Sequence, residues 1–447
     1  MIRPTIKAAP FVVAVILFAA GGTAFGQSTD ALLDKLVEKG VLSVKEANDL
    51  REEADKNFTT AYSVKSGMPE WVSALKFNGD LRGRFEGFYG DNPAFVDRNR
   101  FRYRMRFGVT VNLLDDMEVG FRLTSSEASG TFGGDPISGN TSFGDNGSKK
   151  FVYIDLAYGK WSPLRTPEWT GAVTIGKMEN PFVFPSTMMF DRDYTPEGAA
   201  GQLGYSFNDR QSLKLIVGAF VLDELSADNS DPWLGGAQLR WDATWSPRIA
   251  TSAGISGFSI ASRKDLINGN VPNVGRGNTR DATGAPAFDF RPVYADAGFT
   301  YTLEKFLYYA GPFPINVSGD FLHNPEARSD DQGYSVGISF GKAGKKGTWE
   351  LAYRWEELQA DAWFEEFPES DFGAFYEAQQ PNAGFAAPGA GYGSGTNVRG
   401  HWVKLSYSPY DSFTLSAACF FTELINPSPG DSRSGMTRLQ VDGVWKF

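Results

Sequence analysis

Between positions 98 and 106 an arginine occupies every second residue: Arg98, Arg100, Arg102, Arg104 and Arg106. A period of two belongs to a β-strand, so the guanidiniums share one face, and Phe101, Tyr103, Met105 and Phe107 share the other. Successive charges then lie roughly 6.6 Å apart, two residues of strand rise. Like charges that close repel, so carboxylates or bound anions must sit nearby. Asp80 and Glu86 are candidates, on a preceding segment that carries two more arginines, Arg82 and Arg84. Further on, Asp191, Asp193 and Glu197 form a second acidic set. A basic row facing acidic groups across water sets up a transverse field that sorts ions. The alternative is that the arginines only neutralise wall carboxylates and fill space.

Other chemistries find less support. The two histidines, His323 and His401, are far apart and neither adjoins a nucleophile motif, so no enzyme is expected, and neither a metal site nor a cofactor. Cys419 is the single cysteine, which rules out an intrachain disulfide. The formal charge of −10, together with the strict strand alternation of the arginine run, argues against nucleic-acid binding.

The elements that must position these residues follow from pattern. Arg3 and Lys7 precede an apolar run over 11–20 that is too short to span a bilayer, which predicts a signal peptide. Cleavage is expected after Gly26 or after Ala24, leaving 27–73 as a periplasmic helical segment and linker. Within it, Leu32, Leu33, Leu36 and Val37, then Ala47, Leu50 and Ala54 behind a Ser43/Glu46 capping box, predict two short helices over 30–56. Helices this short are marginal alone, so they either meet a partner or remain a frayed, solvated linker. No later stretch approaches ~20 apolar residues, which excludes transmembrane helices.

From 74 to 447 the period is two. Sixteen alternating segments centre on Leu81, Phe107, Phe121, Ile154, Val173, Leu203, Leu215, Leu239, Ile255, Ala297, Val317, Val336, Leu351, Val403, Leu415 and Val441. Short turns at 114–116, 208–210, 246–248, 341–347 and 408–411 alternate with long Gly/Asp/Asn-rich excursions, among them 128–148, 263–290 and 358–396. That alternation of lengths predicts an all-β fold: a transmembrane antiparallel up-and-down β-barrel in the outer membrane, with every long loop on one side. Inside such a barrel the arginines must face the lumen, since each would cost ~2–4 kcal/mol towards lipid. Trp161, Trp169, Trp241, Trp245, Trp349, Trp355 and Tyr407 cluster near strand ends, where amphipathic rings favour the headgroup level. The last strand ends in Phe447, a terminal aromatic of the kind that resembles the signal read by the outer-membrane assembly machinery.

The sequence GKMENPF over 176–182, followed by FDRDYTPEG over 190–198, resembles the putative porin family of Gram-negative bacteria. There a G-[KR]-M-x-N-P-F segment precedes W-D-x-D-x-x-x-E-G, and Phe190 stands here in place of the Trp. The 32–50 segment is also similar to that family's N-terminal extension. The resemblance implies a general porin, a channel for passive diffusion of small hydrophilic solutes and ions. It implies a homotrimer in outer-membrane lipid, and a third outer loop folded inward so that Asp191, Asp193 and Glu197 face the arginine row at a constriction. An anion- or phosphate-selective porin using that row is the alternative.

Overall fold

Segments that alternate apolar and polar residues can bury one face in lipid and wet the other, but only if no strand edge is left unpaired. The computed structural model meets that condition. It describes residues 68–129, 133–226, 229–266, 275–376, 391–427 and 433–447; the signal-peptide and helical readings over 1–26 and 30–56 lie outside them. Sixteen strands form a closed antiparallel barrel. They are β1 Val72–Gly90, β2 Arg98–Leu113, β3 Met117–Ser125, β4 Val152–Arg165, β5 Trp169–Lys177, β6 Glu197–Asn208, β7 Gln211–Val221 and β8 Trp233–Ser246. The second half comprises β9 Ile249–Ala261, β10 Val293–Leu303, β11 Phe313–His323, β12 Gln332–Gly341, β13 Thr348–Leu358, β14 Val398–Tyr410, β15 Phe413–Leu424 and β16 Met436–Lys446. All sixteen predicted centres fall within these strands, one in each.

Every strand pairs with its sequence neighbours, and β1 closes on β16 from Asp80 opposite Lys446 to Gly90 opposite Met436. Backbone bonds between Gly79 and Phe447, at 2.9 and 3.1 Å, extend that seam to the last residue. A Cβ at Gly79 would stand 2.3 Å from the Arg106 carbonyl oxygen and 2.6 Å from the Phe447 ring, so the seam needs glycine there. Connections alternate as expected. Those at 114–116, 166–168, 209–210, 247–248 and 411–412 are tight, whereas 126–151, 178–196, 262–292 and 359–397 are long. The turn near 408–411 is shorter than read, because β14 and β15 run on to Tyr410 and from Phe413.

Apolar residues cover the outside: Leu81, Phe107, Phe121, Leu203, Leu215, Leu239 and Val317 are all solvent-exposed in the isolated chain. Trp161, Trp169, Trp245 and Tyr407 are exposed near strand ends, whereas Trp241 is half-buried and stacks edge-on against Trp245. The interior is uneven. Along β6 to β13 the inward residues include Ile216, Phe220, Leu234, Phe258, Tyr294, Leu322 and Leu358, all buried. They pack with Phe182, Met188, Met189 and Phe190 of the 178–196 loop and with Trp363, Phe364 and Phe367 of the 359–397 loop. Two loops therefore enter the barrel and pack mainly against β6 to β13, facing the charged wall of β16, β1 and β2, where the 359–397 loop also sets Phe375 beside Phe88 and Met436.

Candidate functional site

The β1–β2 register decides which charges meet. Asp80 lies opposite Arg106 and Glu86 opposite Arg100, but between them Arg82 lies opposite Arg104 and Arg84 opposite Arg102. Like charges directly opposite destabilise a sheet. The middle of this wall is therefore a four-arginine patch whose two wall carboxylates stand at its ends. Glu86 is fully buried; it accepts hydrogen bonds from Arg100 Nε at 2.6 Å and Arg438 Nη2 at 2.7 Å, with Arg102 Nη1 at 3.7 Å. Asp80 accepts from Arg104 Nη2 at 2.8 Å and Arg106 Nε at 2.6 Å. From β16, Asp442 takes Arg84 in a bidentate pair at 2.7 and 2.8 Å.

From the 126–151 loop, Asn140 accepts from Arg82 Nη2 at 2.7 Å and Arg102 Nη2 at 3.1 Å, and Glu127 stands 3.6 Å from Arg102 Nη2; the two infolded loops supply the other partners. Asp193, from 178–196, accepts both carboxylate bonds from Arg104 Nη1 at 2.8 and 2.9 Å and a longer one from Arg106 Nη1 at 3.4 Å. Burial would raise its carboxyl, but Arg104, Arg82 and Arg106 outweigh that and hold it down to about 2. From 359–397, Asp371 bridges Arg84 Nη1 at 3.0 Å and Arg438 Nη2 at 2.6 Å. Loop insertion is thus favoured twice, by apolar packing on one side and by charge pairing on the other.

Glycine makes the inward turn of 178–196 possible. Gly176 and Gly198 stand opposite each other at its two roots. Gly176 has φ +116°, and a Cβ there would lie 2.3 Å from the Ala157 carbonyl oxygen; at Gly198 it would lie 2.2 Å from that of Ala219. Both are motif glycines, one opening GKMENPF and one closing FDRDYTPEG. Inside the loop, Gln238 of β8 clamps Val183, receiving a bond from its N–H and donating one to its carbonyl, both at 2.9 Å.

The predicted acidic set divides. Only Asp193 meets the arginine row. Asp191 is buried and accepts from the Asp193 N–H at 2.7 Å and the Ser370 N–H at 2.8 Å, which ties one infolded loop to the other. Burial, with Glu369 and Asp193 beside it, pushes its carboxyl well above the usual range. Glu197 opens β6 and pairs with Lys177 at 2.9 Å; it borders a further cavity with Arg104 and Arg106 but pairs with neither. Among the basic residues Arg98, at the first position of β2, is exposed but still lines a cavity with Arg100 and Arg102, and Arg82, Arg84, Arg100, Arg102, Arg104 and Arg106 face inward. Phe447 is paired through its backbone and its ring is exposed.

Two interior cavities meet along this wall. The inner one, about 470 Å³, is lined by Arg82, Arg104, Arg106, Arg192, Arg354 and Asp193 among others. The outer one, about 440 Å³, is lined by Arg98, Arg100, Arg102, Phe88 and Tyr392 among others. Arg438, Asp442 and Asp371 were not picked from the sequence as site residues. The first two were within reach, because an up-and-down barrel must seat its last strand beside its first, and Arg438 and Asp442 alternate on the non-lipid face. Asp371 carries no such signal.

Residues 91–265 match the putative porin family. No curated protein matches the chain. Among solved structures, Pseudomonas putida OprB at high pH is similar at 10% identity with a TM-score of 0.53, covering 88% of this chain and 97% of that one. Vibrio cholerae OmpT lacking a loop gives 12% identity, a TM-score of 0.43 and coverage of 84% and 99%. A mutant of Rh. blastica porin gives 10%, 0.40, and 84% and 100%. The likeness to OprB is one of fold. The stretch holding the arginine strand and both motifs thus carries the pattern of the putative porin family, within a sixteen-stranded barrel.

Proposed function

We propose that this protein is an outer-membrane porin, a water-filled channel through which small hydrophilic solutes and ions diffuse passively, narrowed by the 178–196 and 359–397 loops. The observation that carries the reading is the inversion of polarity: apolar rings outside, and guanidiniums and carboxylates around cavities inside. A sixteen-stranded wall encloses more room than its own side chains fill, which an eight-stranded one does not. Assembly as a homotrimer, with Phe447 read by the assembly machinery and 1–26 removed as a signal peptide, belongs to the same reading. Purified protein in liposomes is expected to admit monosaccharides, and larger sugars more slowly. Liposomes that stay sealed to monosaccharides refute it.

A second reading, an anion-selective or phosphate-selective channel, draws on Arg82, Arg192 and Arg354. All three line the inner cavity, and among the described residues none has a carboxylate within 4 Å. Single-channel recording in a KCl gradient separates the two readings: a reversal potential near zero favours general diffusion, and one near the chloride limit favours anion selection.

A further inference from the structure

Among the described residues Asp371 is the one loop carboxylate that bridges two wall arginines from different strands, Arg84 of β1 and Arg438 of β16. Both guanidiniums are more than nine-tenths buried. One carboxylate shared between two guanidiniums is also the arrangement that would hold a small oxyanion. Position adds to this. Ser370 and Asp371 line both the inner and the outer cavity, so this short strap stands between them. Its other bonds fasten it in place: the Ser370 carbonyl accepts from Arg438 Nη1 at 3.1 Å, and the Asp371 carbonyl accepts from the Tyr392 hydroxyl at 2.7 Å.

We propose that Arg84 and Arg438 form a transit site for small oxyanions, that the Asp371 carboxylate is its resident occupant, and that an entering anion passes by displacing it. The site deepens the channel reading and rests on it. The charge balance explains why exchange is favoured over simple opening. Arg84, Arg100, Arg102 and Arg438 crowd around Glu86, Asp442 and Asp371. Swinging the strap out alone would leave this buried cluster four guanidiniums to two carboxylates, a large cost, whereas an incoming oxyanion replaces the carboxylate one for one. Arg438 and Arg84 overcome burial and keep the Asp371 carboxyl well below the usual range, so the occupant stays charged and the exchange is driven by anions, not by protons.

The test uses the full mature protein in planar bilayers, with KCl as the carrier and inorganic phosphate as the probe. In wild type, phosphate is expected to reduce chloride current saturably. Asp371→Asn vacates the site: the anion-to-cation permeability ratio rises roughly fivefold at ~0.1 M salt, the scale of one unit charge removed from beside the path. Half-maximal block by phosphate then falls to a lower concentration, and Asp371→Glu restores wild-type behaviour. Tyr392→Phe removes a fastening of the strap and a neutral acceptor of Arg438 Nη1 at 2.9 Å without changing charge, so it lowers the blocking concentration and leaves selectivity unaltered; it serves even if Asp371→Asn does not fold. Phosphate block identical in wild type, Asp371→Asn and Tyr392→Phe overturns the site while leaving the channel intact. A wild-type protein that conducts no ions overturns the channel reading itself.

Discussion

Replacing Asp193 with Asn removes one negative charge from the arginine wall while keeping the shape of the side chain. Its carboxylate lies 2.8 Å from Arg104 Nη1, and both residues line the inner cavity. An ion crossing that cavity passes on the order of 5 Å away, where a unit charge in water is worth about 0.8 kcal/mol, or about 0.5 kcal/mol after screening at ~0.1 M salt. The change acts with opposite sign on chloride and potassium, so their permeability ratio shifts roughly fivefold towards the anion. In a tenfold KCl gradient that moves the reversal potential by about 30 mV, half of the ~59 mV that a perfectly selective pore develops. At ~1 M salt the screening length is about 3 Å and the shift drops to roughly 10 mV. Bilayer recording of wild type and Asp193→Asn side by side measures both. A shift towards cations, or none at low salt, refutes the claim that ions pass beside Arg104 and Asp193.

Three further outcomes are expected. Leu215 points outward in mid-β7 while its neighbour Lys214 points inward, so Leu215→Lys is expected to cost about 2–4 kcal/mol, a shift of roughly 30-fold to several-hundred-fold in the folding equilibrium. Lys214→Leu is expected to cost far less, and urea titration of folding into vesicles compares them; equal costs would mean the two faces are assigned wrongly. Deleting 30–56 is expected to leave a barrel that folds and conducts, because the sixteen wall strands lie within 72–446, and loss of the heat-modifiable folded band on gels would show otherwise. Finally, Asp191 faces Glu369 and Asp193 and accepts the Ser370 N–H, and its carboxyl titrates above the ordinary 3.8. A raised acid contributes stability that is complete below that value and lost as pH rises through its own. The junction between the two infolded loops is therefore expected to tighten, and conductance to fall, as pH drops through that raised titration. Asp191→Asn keeps the neutral form and is expected to flatten the profile; an unchanged profile means the junction does not titrate.

Much of this molecule is local arithmetic. Period-two alternation set the strands from Leu81 to Val441, and the contrast of short and long connections set their order and the side on which the loops lie, because a barrel in lipid leaves no edge and no other order for neighbours in sequence. The face of Arg100 to Arg106 followed from the same rule, since a strand's pleat admits two sides and lipid forbids one to charge. What alternation does not encode is register and loop path. The opposition of Arg82 with Arg104 and of Arg84 with Arg102 depends on how β1 slides against β2. Phe258, Tyr294 and Leu322 face inward although they are apolar, because the 178–196 and 359–397 loops pack over them; an apolar residue at an inward position reads in the sequence only as a lapse in pattern. Asp191 and Asp193 are two residues apart in one motif, yet one meets arginines and the other a backbone N–H of a second loop. Asp371 reaches Arg84 and Arg438 across 287 and 67 residues of chain. Contacts at such separation are decided by where packing lets a loop come to rest, which no spacing along the chain records.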